Sequence, residues 1–177
     1  MKKIIYSTLL FTLFSFSAFS QNKKGDFNLS AGIGFGSLTE TSVAIGDAIS
    51  RIIFGNSNDD LTKSKFGAIN IGAKYSLSNK VRIGADFVYE KFEGGNINIG
   101  VISVIPRADL IWVNKNNFRF YSGIGVGVAF TDDNDGGSSF AFNAVPAGVE
   151  FGKDICFYAE LAAGFNGTIS GGVRFKL

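Results

Sequence analysis

Residues 81–90 read Val81, Arg82, Ile83, Gly84, Ala85, Asp86, Phe87, Val88, Tyr89, Glu90. The odd positions are apolar or aromatic, and the even ones include Arg82, Gly84, Asp86 and Glu90. Side chains alternate across a strand with period two, so this stretch is a β-strand with one dry face and one wet face. The same unit recurs about eight times after residue 25, in strands of about ten residues, the length a tilted strand needs to cross a bilayer. The pattern predicts an all-β fold, an eight-stranded antiparallel up-and-down transmembrane β-barrel.

The first twenty residues stand outside this pattern. Lys2 and Lys3 form a short positive region, residues 4–16 are apolar apart from Ser and Thr, and Ala18 and Ser20 are the small residues of a cleavage site. We read residues 1–20 as a secretory signal peptide, with Gln21 as the first mature residue and 21–177 as the barrel domain. Without Lys2 and Lys3, fifteen basic residues balance fifteen acidic ones, which argues against nucleic acid as a partner. Cys156 is the only cysteine, so neither an intrachain disulfide nor a cysteine metal site is expected. No cofactor is expected either.

The strands follow in order, at about 26–36, 65–77, 81–90, 97–112, 118–130, up to 151, 156–165 and 168–177. Pro106 and Pro146 each predict a bulge, the second because Phe140 and Phe142 fall out of step with Val145, Ala147, Val149 and Phe151. Asn166 and Gly167 predict a two-residue hairpin turn. The longest connection, residues 37–64, includes a stretch at 43–54 with isoleucines at roughly helical spacing. Gly123, Gly125 and Gly127 resemble a nucleotide-binding loop only superficially, since they alternate within a strand and no helix follows. The Asp-rich loop at 132–139 lacks the ligand spacing of a calcium site.

Three features turn the apolar face outward, toward lipid. The polar face is mostly Gly, Ala and Ser, which suits a tight lumen. Aromatics cluster near strand ends: Phe27, Tyr75, Trp112, Phe118, Phe151, Phe157 and Phe175 at one end, and Phe35, Phe87, Tyr89, Phe130 and Phe165 at the other. Two such girdles mark the two membrane interfaces. The connections ending at Lys80, Asn117 and Asp154 are short and alternate with longer ones, as periplasmic turns do with external loops, which puts both termini in the periplasm.

The segments Phe120-Tyr-Ser-Gly-Ile-Gly-Val-Gly127, Gly148-Val-Glu-Phe151 and Gly172-Val-Arg-Phe-Lys-Leu177 carry a resemblance to a known family. Over residues 26–177 the chain resembles the small outer-membrane β-barrel proteins of the Gram-negative cell envelope, a porin-like group that includes the OmpA transmembrane domain and OmpX. The resemblance implies outer-membrane lipids as surroundings and the barrel-assembly machinery as a partner during insertion. That machinery commonly reads a terminal aromatic; this chain ends in Leu177, with Phe175 two residues earlier. No peptidoglycan-binding segment follows, so no cell-wall tether is expected.

The inward face carries Lys74, Arg82, Asp86, Glu90, Arg107, Asp109, Arg119, Glu150, Glu160, Arg174 and Lys176. Six positive and five negative groups allow a paired network, and a lone desolvated charge would be very unfavourable. Tyr121 and Tyr158 can add hydrogen bonds. Two functions follow: a closed structural or interaction barrel that displays its loops, or a narrow channel for small solutes. An enzyme is not expected, because the chain has no histidine and no Ser or Cys has another base to activate it. The exported protein should begin at Gln21 by mass spectrometry, and should migrate faster unboiled than boiled. Retention of residues 1–20 in the exported form would contradict the assignment.

Overall fold

A computed structural model describes residues 22–39, 64, 66–94, 97–132 and 137–177. The expected signal peptide, Gln21, the helix-like stretch at 43–54 with most of the first connection, and residues 133–136 of the Asp-rich loop lie outside the described residues.

Eight strands close into one antiparallel barrel in sequence order. They are β1 (Phe27–Phe35), β2 (Ala68–Ser76), β3 (Val81–Gly94), β4 (Ile97–Lys115), β5 (Phe118–Asp132), β6 (Ser138–Gly152), β7 (Ile155–Gly164) and β8 (Ile169–Lys176). Closure is made by β1 against β8, from Asn28 opposite Lys176 to Phe35 opposite Ile169. A closed sheet has no free edge strand, so within the closed part of the barrel each strand pairs with a neighbour on both sides. The period-two pattern sets which side chains face which way: β7 alternates exposed and buried at each of its ten residues.

The exterior is apolar. Phe87 is 53% exposed, Ile124 65% and Phe157 65%. The turn end of the barrel holds the start of β1, the end of β8 and the connections at 77–80, 116–117 and 153–154. Phe27, Tyr75, Trp112, Phe151, Phe157 and Phe175 ring it as exposed aromatics. At the opposite, loop end, Phe35, Phe87, Tyr89, Phe130 and Phe140 are exposed.

Several local expectations need correction. Pro106 sits in an unbroken β3–β4 register opposite Ala85. Its ring points outward, and the bulge lies instead between Ile111 and Val113, where the β4–β5 register shifts. The bulge near Pro146 is present, between Ala144 and Ala147. It turns Val145 into the barrel, 1% exposed, and not outward. The Asn166–Gly167 turn is wider than two residues, because Phe165 N–H donates to Phe142 O and Thr168 N–H donates to Phe35 O in place of a tight β7–β8 pairing. Phe165 consequently packs against the inner apolar cluster and not the outer girdle.

The alternation of short and long connections also fails, at the four-residue β7–β8 connection and most clearly between β3 and β4. β3 runs to Gly94 and β4 begins at Ile97, so the loop-end connection between them is as tight as the turns. The chain is spent on strand instead: β3 to β6 have 14, 19, 15 and 15 residues, against 9, 9, 10 and 8 in β1, β2, β7 and β8. The β3–β4 ladder reaches Gly94 opposite Ile97, while β2–β3 stops at Ile69 opposite Tyr89. Four strands thus rise past the rest of the rim at the loop end.

Phe87 and Val88 are neighbours on opposite faces, 53% and 3% exposed. A nitroxide at Phe87→Cys in bilayers should collide freely with dissolved oxygen, and one at Val88→Cys should not. The reverse order would turn the barrel inside out.

Candidate functional site

The inward face divides into two zones. Toward the turn end it is ionic; toward the loop end an apolar cluster shares the interior with buried polar residues such as Ser103, Asn143 and Glu90. Lys74 lies late in β2, Arg82 opens β3, Arg107 and Asp109 lie in the second half of β4, Arg119 opens β5, Glu150 closes β6 and Arg174 closes β8. Asp86 and Glu160 come from the middle of β3 and β7. All nine are buried.

Two hubs organise them. Arg107 engages three carboxylates: its Nε donates to Asp109 Oδ1 at 2.6 Å, its Nη1 to Asp86 Oδ2 at 3.1 Å and Glu160 Oε2 at 3.0 Å, and its Nη2 to Glu160 Oε1 at 2.8 Å. Glu150 is the converse, one carboxylate facing three guanidiniums. Arg119 Nε donates to its Oε2 at 2.5 Å, Arg82 Nη2 lies 2.8 Å from its Oε1, and Arg174 pairs with the same oxygen. Arg82 also reaches Asp109 Oδ2 at 3.3 Å, joining the hubs. Lys74 Nζ lies 3.1 Å from Asp109 Oδ2 and 3.7 Å from Asp86 Oδ1.

Aromatic rings separate the guanidiniums. The Tyr121 ring has Arg82 at 4.9 Å and Arg174 at 5.6 Å from its centroid, and its hydroxyl donates to Glu160 Oε1 at 2.7 Å. The ring face is electron-rich, so it accepts cations where no further anion fits. Arg174 also lies 4.9 Å from the Tyr158 centroid, and Tyr158 donates to Asn70 Oδ1 at 2.8 Å. The ring of Tyr121 crosses the lumen because its neighbour on β6 is Gly148; a Cβ there would sit 2.5 Å from the ring. Gly32 likewise leaves room for the Tyr158 hydroxyl.

Two of the eleven inward charges stand apart from this network. Glu90, at the loop end, accepts from Ser37 Oγ at 2.8 and 2.7 Å. Lys176, at the turn end, pairs with Asp26 at 2.8 Å across the β1–β8 seam. The central network is therefore five cations (Lys74, Arg82, Arg107, Arg119, Arg174) with four carboxylates (Asp86, Asp109, Glu150, Glu160). Cys156 is buried beside it; Arg119 Nη2 lies 2.5 Å from its Sγ, which donates to Lys153 O at 2.9 Å. No group of three potential metal ligands occurs among the described residues.

Sequence reasoning missed three contributors. Asn166 turns inward and donates to Asp86 Oδ2 at 3.2 Å, a role hidden by its reading as a turn residue. Asn22 is buried under the turn-end mouth. It donates its N–H to Asn114 Oδ1 at 3.0 Å and its amide to Ser78 O at 3.2 Å, and accepts from Ser76 Oγ at 2.8 Å. No periodic signal marks it, because it precedes the first strand. The third is the apolar zone, where Ala68, Val88, Phe92, Val101, Ile105, Ala129 and Ala141 form one buried cluster. These residues come from five strands at the loop end of the lumen, and their traces in the sequence are the even-numbered apolar positions of β3 and the stretch Ile99–Ile105 of β4, apolar on both faces.

No protein-family model matches the chain, and no curated protein matches it. Among solved structures it is similar to the N-terminal β-barrel domain of Pseudomonas aeruginosa OprF, with 11% identity and a TM-score of 0.52 over 88% of this chain and all of that one. A structure from de novo design of transmembrane β-barrels aligns at 12% identity and a TM-score of 0.49, over 89% of this chain and 99% of that one. The chain has the eight-stranded fold of the outer-membrane barrels, with 11% identity across it.

Glu150 balances three guanidiniums, so its loss is the most damaging single change in the lumen. Glu150→Ala should cost about 3–5 kcal/mol in unfolding free energy, measured in urea with lipid vesicles, as for other broken buried pairs. Lys80→Ala, in an exposed turn, should stay within about 0.5 kcal/mol. A loss at Glu150 below about 1 kcal/mol, the size of a solvent-exposed pair, would show that water fills the lumen.

Proposed function

We propose that the mature chain is an outer-membrane barrel with a closed lumen, both termini in the periplasm, and a structural or interaction role carried by what its loop end displays. The observation that supports this reading is the set of buried side chains that fills the interior. The two hubs cross the lumen from β2, β3, β4, β5, β6, β7 and β8, and an apolar cluster covers them toward the loop end. Ions pass a filter only where they exchange hydration for favourable ligands, and a dry apolar constriction offers none.

The apolar exterior between two aromatic girdles supports residence in lipid, and a fold shared with OprF's barrel domain supports the outer membrane. Placing the tight connections at 77–80, 116–117 and 153–154 in the periplasm directs the rising strands β3–β6 and the long 36–67 connection outward. The last strand ends with Phe175 exposed on the lipid face, in the position the barrel-assembly machinery would meet. With no histidine and every carboxylate of the network engaged by a cation, the lumen has no poised base, and we assign no enzymatic role.

Planar-bilayer recording separates the closed barrel from a solute channel. The wild-type protein should be electrically silent, while a double Phe92→Ala, Ile105→Ala variant, which thins the apolar cover, should flicker open. Steady unitary currents from the wild type would overturn the closed reading in favour of the channel.

A further inference from the structure

The mature chain is neutral overall, yet its charge is divided along the barrel axis. The turn end carries Lys23, Lys24, Lys80, Lys115, Lys153 and Lys176 against Asp26 and Asp154. Asp26 is already engaged by Lys176. In the connecting segments 36–67, 91–97 and 132–137 the sequence has eight acidic residues and four basic ones. The basic residues of the turn end are also placed at one height. Lys80 closes the 77–80 turn, Lys115 ends β4 and Lys153 lies in the 153–154 turn. Lys23, Lys24, Lys80 and Lys115 are exposed. Directly above them runs the aromatic girdle, with Trp112, 61% exposed, three residues before Lys115 on the same strand.

We propose that this lysine rim binds the phosphate headgroups of anionic phospholipids, and so seats the turn end in a phospholipid leaflet. The inference rests on the membrane reading above and adds to it a lipid class. The girdle fixes the hydrocarbon boundary, and what lies immediately beyond such a boundary is the headgroup layer. Lysine suits that position because its apolar stem lies along the barrel wall while its ammonium reaches the phosphates. A basic residue at an anionic surface gains about 1 kcal/mol, roughly fivefold in binding.

Trp112 is the only tryptophan of the chain, and it sits at this rim, so its fluorescence reports the adjacent lipid. The protein is reconstituted in phosphatidylcholine vesicles containing one third phosphatidylglycerol, with bromine on the chains of one lipid or the other. Brominated phosphatidylglycerol should compete about two- to fivefold better for the Trp112 site than brominated phosphatidylcholine. The preference should decline as salt is raised, because screening shortens the reach of exposed charges. In Lys23→Gln, Lys24→Gln, Lys80→Gln, Lys115→Gln protein it should fall to parity, with boiled and unboiled mobilities unchanged. Equal quenching by the two lipids in the wild type overturns the proposal. So does a preference that survives the four substitutions or high salt. If neither brominated lipid quenches Trp112, the membrane reading fails as well, and the two failures are told apart.

Discussion

An eight-stranded barrel is just wide enough inside for side chains to fill it, and here the turn-end half is filled by ions. Everything else in the lumen follows from keeping those ions paired. A buried charge left alone costs several kcal/mol, whereas a hydrogen-bonded set can balance the loss of water. Five cations and four carboxylates cannot pair one to one, so the network shares: Arg107 spans three carboxylates, Glu150 holds three guanidiniums, and the Tyr121 ring lies against two of them. Arginine suits this geometry because its planar fork donates in several directions at once. Glycines at 148 and 32 then follow as spatial necessities, since larger side chains would collide with the two tyrosines.

The ionic half explains why the loop-end half is apolar. Ion pairs weaken as water enters, so a network open at both mouths would lose much of its strength. The cluster around Ile105, Val88 and Phe92 places apolar side chains between the network and the loop-end mouth. Asn22 covers the turn-end mouth by a different device, tying its amide and backbone to Ser76, Ser78 and Asn114. Apolar packing and hydrogen bonding thus protect the same ions from opposite sides.

Much of this was legible in the sequence, because barrel strands reveal their faces by parity. The alternation in residues 81–90 is enough to send Arg82, Asp86 and Glu90 inward and Ile83, Phe87 and Tyr89 outward. Parity fails wherever the strand inserts a residue. Val145 was assigned outward because Pro146 hides the extra residue between it and Ala147. Pro106 works in the opposite direction: the β4–β5 pairing skips Ile105 and Pro106 and resumes in the same register, while β3–β4 stays continuous, so the missing N–H donor is absorbed without a bulge. Asn166 and Gly167 read as a turn by composition, but the β1 and β6 backbones bond to the residues on either side and hold the turn open. Which carboxylate meets which arginine was not legible at all, since those partners depend on the stagger of strands around the barrel.

Stagger also explains the uneven hold on the individual strands. Charges from β2 to β8 enter the central network, but the inward residues of β1 are Asn28, Ser30, Gly32 and Gly34. β1 closes the barrel against β8 without an ion pair of its own inside it. Its hold comes from the backbone ladders on both sides, from Lys176 to Asp26 just before it, and from Asn22 at its approach. Because β1 sends no charge inward, every member of the central network finds its partners among β2 to β8. On the other side of the seam, β8 is tied into that network through Arg174, whose partners Glu150 and Glu160 lie on β6 and β7, in addition to its ladders with β1 and β7.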